Sequence, residues 1–162
     1  MTEAGDVVDV PVVFVGHAEL PEGVRSAVEM ILGPQENLST VQLGPAADPA
    51  DTARQIGHAL EQMHANAQVG ALVLTDLQGG SPSNAAAAVF LERRYVRVVA
   101  GLSLPMALEV LADRQGRAAG ELADVAVVAG QRSVTDVSRS LAAVASQDRS
   151  GGGAIAPVGD DA

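Results

Sequence analysis

Val12-Val13-Phe14-Val15-Gly16-His17 is the stretch on which the fold turns. Four consecutive β-branched or aromatic residues without polar alternation describe a strand covered on both faces, as in a parallel sheet. A strand with one wet face would alternate instead. Pro21 then opens a helical stretch in which Val24, Ala27, Val28 and Ile31 fall on one face, and Gly33-Pro34 stops it. A buried strand followed at once by an amphipathic helix is the first half of a βαβ unit.

Outward from that unit the same alternation continues. Val41 and Leu43 mark a weaker second strand. Asp48-Pro49-Ala50-Asp51 supplies helix-start chemistry, and Ile56, Leu60 and Met63 then form an i, i+4, i+7 stripe running to about Asn66. Ala71-Leu72-Val73-Leu74 is a third, wholly apolar strand. Gln78 to Ser83 reads as a loop, Asn84 to about Glu92 as an Ala-rich helix, and Val96 to Ala100 as a fourth strand. Pro105 begins a helix through about Ala112. Beyond Gly120, Leu122, Val125, Ala126 and Ala129 fit one helix face, yet Val125-Ala126-Val127-Val128 also reads as a strand. Length favours helix over residues 121–132, with a final strand near Val134–Val137. The expectation is a single α/β domain over residues 10–147, a mostly parallel sheet flanked by helices on both faces. Residues 1–9 and 148–162 are expected to be disordered tails.

Composition removes whole classes of function. The chain has 162 residues, 48% hydrophobic and 19% charged, which is enough apolar material for one real core. Its apolar runs fall far short of the ~20 residues of a membrane span, and no charged-then-apolar leader opens it. A cytoplasmic protein without membrane insertion is expected. With no cysteine, disulfides, thiol nucleophiles and Cys-based metal sites are excluded. A net charge of −10, with every basic residue an arginine, repels a phosphate backbone. Phe14, Phe90 and Tyr95 are the sole aromatics and give no stacking platform, so nucleic acid is not an expected partner.

Ligands of open parallel sheets bind outside the carboxyl ends of the strands. Three segments directly follow strands here: Gly16-His17-Ala18, Asp76 to Ser83, and Gly101 to Pro105. His17 and Asp76 therefore belong on one edge of the sheet. A neutral imidazole carries one nucleophilic nitrogen, and a carboxylate bonded to the other fixes the tautomer and stabilises the cation formed on attack. The Gly79-Gly80-Ser81 turn before a helix offers backbone N–H groups suited to phosphate oxygens. Nucleophile, orienting carboxylate and anion cradle together suggest a phosphohistidine intermediate. An Asp at a strand end also serves as a plain turn cap, and Gly-Gly-Ser-Pro alone is a common turn. His58 and His64, six residues apart, point to different helix faces and suit no shared metal, so neither metal nor cofactor is expected. Ser81 lies outside any Gly-x-Ser-x-Gly elbow, which disfavours a serine hydrolase.

Three blocks carry a family resemblance. Val12 to His17, with Glu22-Gly23 and Glu29 to Asn37, resembles the opening of the mannose/fructose-type enzyme IIA domain of the bacterial sugar phosphotransferase system. Asp76-Leu77-Gln78-Gly79-Gly80-Ser81-Pro82-Ser83-Asn84-Ala85 is similar to that family's Asp-x-x-Gly-Gly-Ser-Pro-x-Asn-Ala segment. Gly101-Leu102-Ser103-Leu104-Pro105-Met106 is similar to its Gly-x-Asn-Leu-Pro-Met segment. The resemblance implies that His17 is phosphorylated, that Asp76 is its hydrogen-bond partner, and that Gly80 and Ser81 lie by the phosphate. It implies a phosphoryl group taken from the histidine-containing phosphocarrier protein and passed to enzyme IIB on a separate chain. It also implies a homodimer formed by exchange of a C-terminal strand. Gly16, Ala18 and Ser103 depart from the pattern, where the family has Ser or Thr, Gly, and Asn. Two other readings stay open: the related phosphotransfer subunit of dihydroxyacetone kinase, and a regulatory module read through the phosphorylation state of His17.

Overall fold

The computed structural model describes residues 9–150. Four strands, β1 (Val12–His17), β2 (Leu38–Leu43), β3 (Ala71–Thr75) and β4 (Val96–Ala100), form one parallel sheet in the order β2-β1-β3-β4. Six helices accompany them among the described residues: α1 (Leu20–Leu32), α2 (Pro49–Gln62), α3 (Ser81–Glu92), α4 (Leu104–Ala112), α5 (Ala119–Arg132) and α6 (Val137–Ser150). Alternate residues of the central strands face opposite cores. Val12, Phe14, Leu72 and Leu74 pack with Val28 of α1 and the apolar faces of α4 and α5. Val13, Val15 and Val73 pack with Ile56 and Leu60 of α2 and with Ala85 and Val89 of α3. This two-sided burial is what the unbroken apolar run of β1 encodes.

The order of the strands fixes where a site can form. The chain leaves β1 toward β2 on one side, whereas β3 leads on to β4 on the other. Connections that diverge from neighbouring strands open a crevice between their carboxyl ends, here those of β1 and β3. His17 ends β1 and Asp76 directly follows β3, so both stand at that crevice.

Of three local readings left uncertain by the sequence, the structure bears out one and turns out otherwise for two. The segment 121–132 is helical: Leu122, Ala126 and Ala129 are buried while Val127 and Val128 are exposed, a pattern that helical spacing alone produces. Glu121 Oε2 also accepts a hydrogen bond from the Ala118 N–H at 2.8 Å, which secures the start of the helix. Ser81 to Ser83, expected in a loop, form the first turn of α3, because Pro82 needs no N–H partner there and its fixed φ suits a first turn. The antiparallel strand expected near Val134–Val137 is not formed within the single chain. Asp136 instead starts a helix, its Oδ1 accepting from the Arg139 N–H at 3.0 Å and its carbonyl from Ser140 at 3.1 Å. Among the described residues, the outer edge of β4 accordingly has no strand beside it.

Of the expected tails, residues 1–8 and 151–162 lie outside the described residues, while 148–150 close α6. Asp9 is tied down. The buried guanidinium of Arg114 lies 3.6 Å from the Asp9 carboxylate and donates to the carbonyls of Glu36 at 2.6 Å and Asn37 at 3.4 Å. The clamp joins the chain's entry into β1 to the segment preceding β2, at the edge of the sheet opposite His17.

Candidate functional site

His17 is presented by the end of a strand whose preceding residues are fully buried, so its backbone is fixed while its side chain stands about half exposed. Asp76 reaches it across the β1–β3 ladder, where Val15 is paired with Thr75 and the Asp76 N–H donates to the Val15 carbonyl at 3.1 Å. One carboxylate oxygen, Asp76 Oδ2, accepts two hydrogen bonds from the same residue: from the His17 backbone N–H at 2.8 Å and from ring Nδ1, also at 2.8 Å. The other oxygen, Oδ1, is buried and without a hydrogen-bond partner, as is the hydroxyl of neighbouring Thr75.

Burial alone would raise the Asp76 pKa. The His17 backbone N–H, its ring N–H and the ring's charge outweigh this, with a smaller contribution from the Leu77 amide, and hold the carboxyl below its ordinary value. Asp76 is therefore a carboxylate at neutral pH. With Nδ1 committed to it as a donor, the lone pair of His17 lies on Nε2, at the exposed end of the ring.

The glycine turn closes beside this ring. Gly79 has φ +77, which favours glycine, and the Gly80 N–H returns to the Leu77 carbonyl at 3.3 Å. Gly80 is the N-cap of α3, and a side chain there would begin 3.4 Å from His17 Cε1. The amides of Ser81 and Ser83 belong to the helix turn that leaves N–H groups without intrahelical acceptors. The positive end of α3 thus begins at the imidazole edge. His17, Asp76 and Gly80 are brought together as the sequence suggested, and Gly79 and Ser81 flank Gly80 in the same turn.

Other candidates fall elsewhere. His58 lies exposed on α2 with its Nε2 2.9 Å from Gln62 Nε2, and His64 follows that helix in a positive-φ turn. No group of three or more metal-ligating side chains occurs among the described residues. Ser103 caps α4, its Oγ accepting from the Met106 N–H at 3.4 Å. Two features escaped sequence reasoning. One is the backbone N–H of His17 as a second donor to Asp76, which only the strand register reveals. The other is that Leu20, three residues after His17, and Leu77, next to Asp76, are both exposed.

Residues 11–127 match the protein family described as the PTS system fructose IIA component, EIIA-man. The chain belongs to the EIIA-man family. It is 29% identical over 137 residues to the sorbose-specific EIIA component of Lacticaseibacillus casei, covering 85% of this chain and 97% of that protein. It is also 29% identical over 126 residues to the mannose-specific EIIAB component of Escherichia coli K12, covering 77% of this chain and 38% of that longer protein. Among solved structures, the phosphotransferase system component EIIA from Streptococcus agalactiae superposes with a TM-score of 0.72 at 26% identity, covering 80% and 98% of the two chains. As an EIIA-man protein, the chain is a component of a sugar phosphotransferase system, with the transferase role in sugar transport that this entails. No helix among its described residues is long and apolar enough to cross a membrane.

Proposed function

We propose that His17 carries a phosphoryl group on Nε2, received from the histidine-containing phosphocarrier protein and delivered to an enzyme IIB on a separate chain. The single observation that supports this most strongly is the 2.8 Å contact between Nδ1 and the Asp76 carboxylate, which leaves Nε2 as the free, outward-facing nucleophile. In the first transfer Nε2 bonds to phosphorus as the bond from phosphorus to the donor's imidazole breaks, and the donor leaves as a neutral imidazole. The proton on Nδ1 stays in place, so the phosphorylated ring carries positive charge directly against Asp76. The Gly79-Gly80-Ser81 turn and the positive end of α3 face the phosphoryl oxygens. Delivery to enzyme IIB reverses these steps, and no cofactor takes part.

Exposed Leu20 and Leu77 suit the docking of protein partners that must approach His17 closely, and such an exchange takes place in the cytoplasm. The free edge of β4, together with Val137, Leu141 and Val144 exposed along one stripe of α6, supports a homodimer in which the C-terminal arm of one copy covers the other. Incubation with phosphoenolpyruvate and the general phosphotransferase components tests the central reading. His17→Ala is expected to abolish acid-labile labelling, while His58→Ala and His64→Ala keep it. Undiminished labelling of the His17 variant would move the chemistry to another residue and refute the assignment.

A further inference from the structure

We propose that Gly101 is a positioning residue of the transfer site: its positive φ turns two successive amides onto the carbonyl that precedes Asp76, and so aims the carboxylate at His17. The inference rests on the phosphocarrier reading and extends it to the loop between β4 and α4. Asp76 has little other help in keeping its direction. Oδ2 accepts both bonds from His17, while Oδ1 is buried without a partner, so among the described residues no other side chain bonds to the carboxylate. With one carbon between backbone and carboxyl, its aim follows the tilt of the peptide unit joining Thr75 to Asp76. That unit is pinned from both sides. Its N–H donates to the Val15 carbonyl at 3.1 Å, and its carbonyl accepts from the N–H of Gly101 at 2.8 Å and of Leu102 at 2.9 Å.

Gly101 makes the last of these bonds available. Successive N–H groups along a strand point to opposite sides, so the pairing of Thr75 with Ala100 supplies the Gly101 bond alone. At Gly101 φ is +105, which brings the Leu102 N–H back to the same oxygen. A Cβ at this position would meet only Met106 Cε, at 4.0 Å, so the backbone angle rather than lack of room opposes a side chain. With alanine the loop relaxes toward negative φ, the Leu102 N–H leaves Thr75, and the carboxylate beyond that carbonyl loses its fixed aim at Nδ1.

The test uses the full chain with Gly101→Ala, Gly101→Asn and Asp76→Asn, and with Gly101→Ala added to Asp76→Asn. Asparagine tolerates positive φ better than alanine and serves as the conservative variant. Histidine ¹⁵N spectra recorded without any phosphodonor report which ring nitrogen holds the proton. Gly101→Ala is expected to move His17 from one Nδ1–H tautomer toward a mixture, and Gly101→Asn to move it less. Phosphorylation of Gly101→Ala is expected to slow about tenfold, and to slow no further when Asp76→Asn is already present. An unchanged tautomer in folded Gly101→Ala, or equal slowing in both backgrounds, overturns the proposal, because a loop of structural importance alone leaves the imidazole proton in place. The spectra need no phosphoryl transfer, so they decide the role of Gly101 even where the phosphocarrier reading fails. If Gly101→Ala does not fold, Gly101→Asn decides by the same spectra. Failure of both to fold makes Gly101 a requirement of the fold rather than of the histidine–carboxylate pair, and overturns the proposal as well.

Discussion

Replacing Asp76 with Asn separates a carboxylate that works on the histidine from one that merely finishes a strand. The substitution keeps size and one carbonyl acceptor, but removes the charge that Oδ2 holds 2.8 Å from His17 Nδ1. Hydrogen bonds to charged groups contribute about 1.5–3 kcal/mol. The imidazole is about half exposed, so water screens part of the attraction and the lower half of that range applies to the ground state. In the proposed transfer, positive charge develops on the ring as Nε2 takes phosphorus, and that charge faces Asp76 from within contact distance. A transition-state loss of about 1.5–3 kcal/mol corresponds to about 10–10²-fold in rate. The Asn amide can also hold the opposite tautomer, with Nδ1 as acceptor and Nε2 protonated, which deepens the loss toward ~10³-fold; a serine protease triad loses ~10⁴-fold when its carboxylate is replaced this way. The assay is the initial rate of phosphorylation by the phosphocarrier, read beside the melting temperature of the same preparation. A slowed rate with the melting temperature within a few degrees of the parent supports the catalytic role. A full rate with stability reduced by about 1 kcal/mol, the cost of a lost cap, would refute the reasoning.

The depressed pKa of Asp76 makes its stabilising contribution complete above the ordinary carboxylate value of ~3.9, and lost as pH falls through the lower folded value. Urea melts across that acid range should therefore show a steeper loss in the parent than in Asp76→Asn. Ala18 has φ +49, a left-handed conformation that costs a residue with a Cβ about 1–2 kcal/mol. Ala18→Gly should stabilise the fold by about 0.5–1 kcal/mol after the entropy of the unfolded glycine is deducted, as chemical denaturation will report. Val134 and the stripe on α6 are exposed, so truncation after Ser133 should leave the monomer fold cooperative while moving the sedimentation coefficient from dimer to monomer. A truncated dimer would place the interface elsewhere.

Much of this architecture was legible because burial on both faces leaves a plain mark. β1 and β3 carry no polar residue between Val12 and Val15 or between Ala71 and Leu74, and both became central strands. The meeting of His17 and Asp76 followed from strand ends alone. The segment 121–132 resisted because Val127 and Val128 are β-branched yet face solvent, so composition argued for a strand while periodicity argued for a helix. Ser81 to Ser83 looked like a loop because Gly, Ser and Pro mark turns as readily as they start helices. The closeness of Gly16 to Asp76 could not be read at all. It depends on the stagger of two strands, which sets Val15 beside Thr75, and nothing within either stretch encodes that stagger. The burial of Arg114 was equally silent, since an arginine after a helix is ordinarily a solvated one.

That arginine has a practical consequence. By fastening Asp9 to the turn before β2, it makes the chain enter the sheet at the pole farthest from His17. A fluorophore, affinity handle or surface linkage attached ahead of Asp9 would leave the histidine facing free solution. An immobilised sensor built in that orientation keeps the face proposed for docking clear of the attachment.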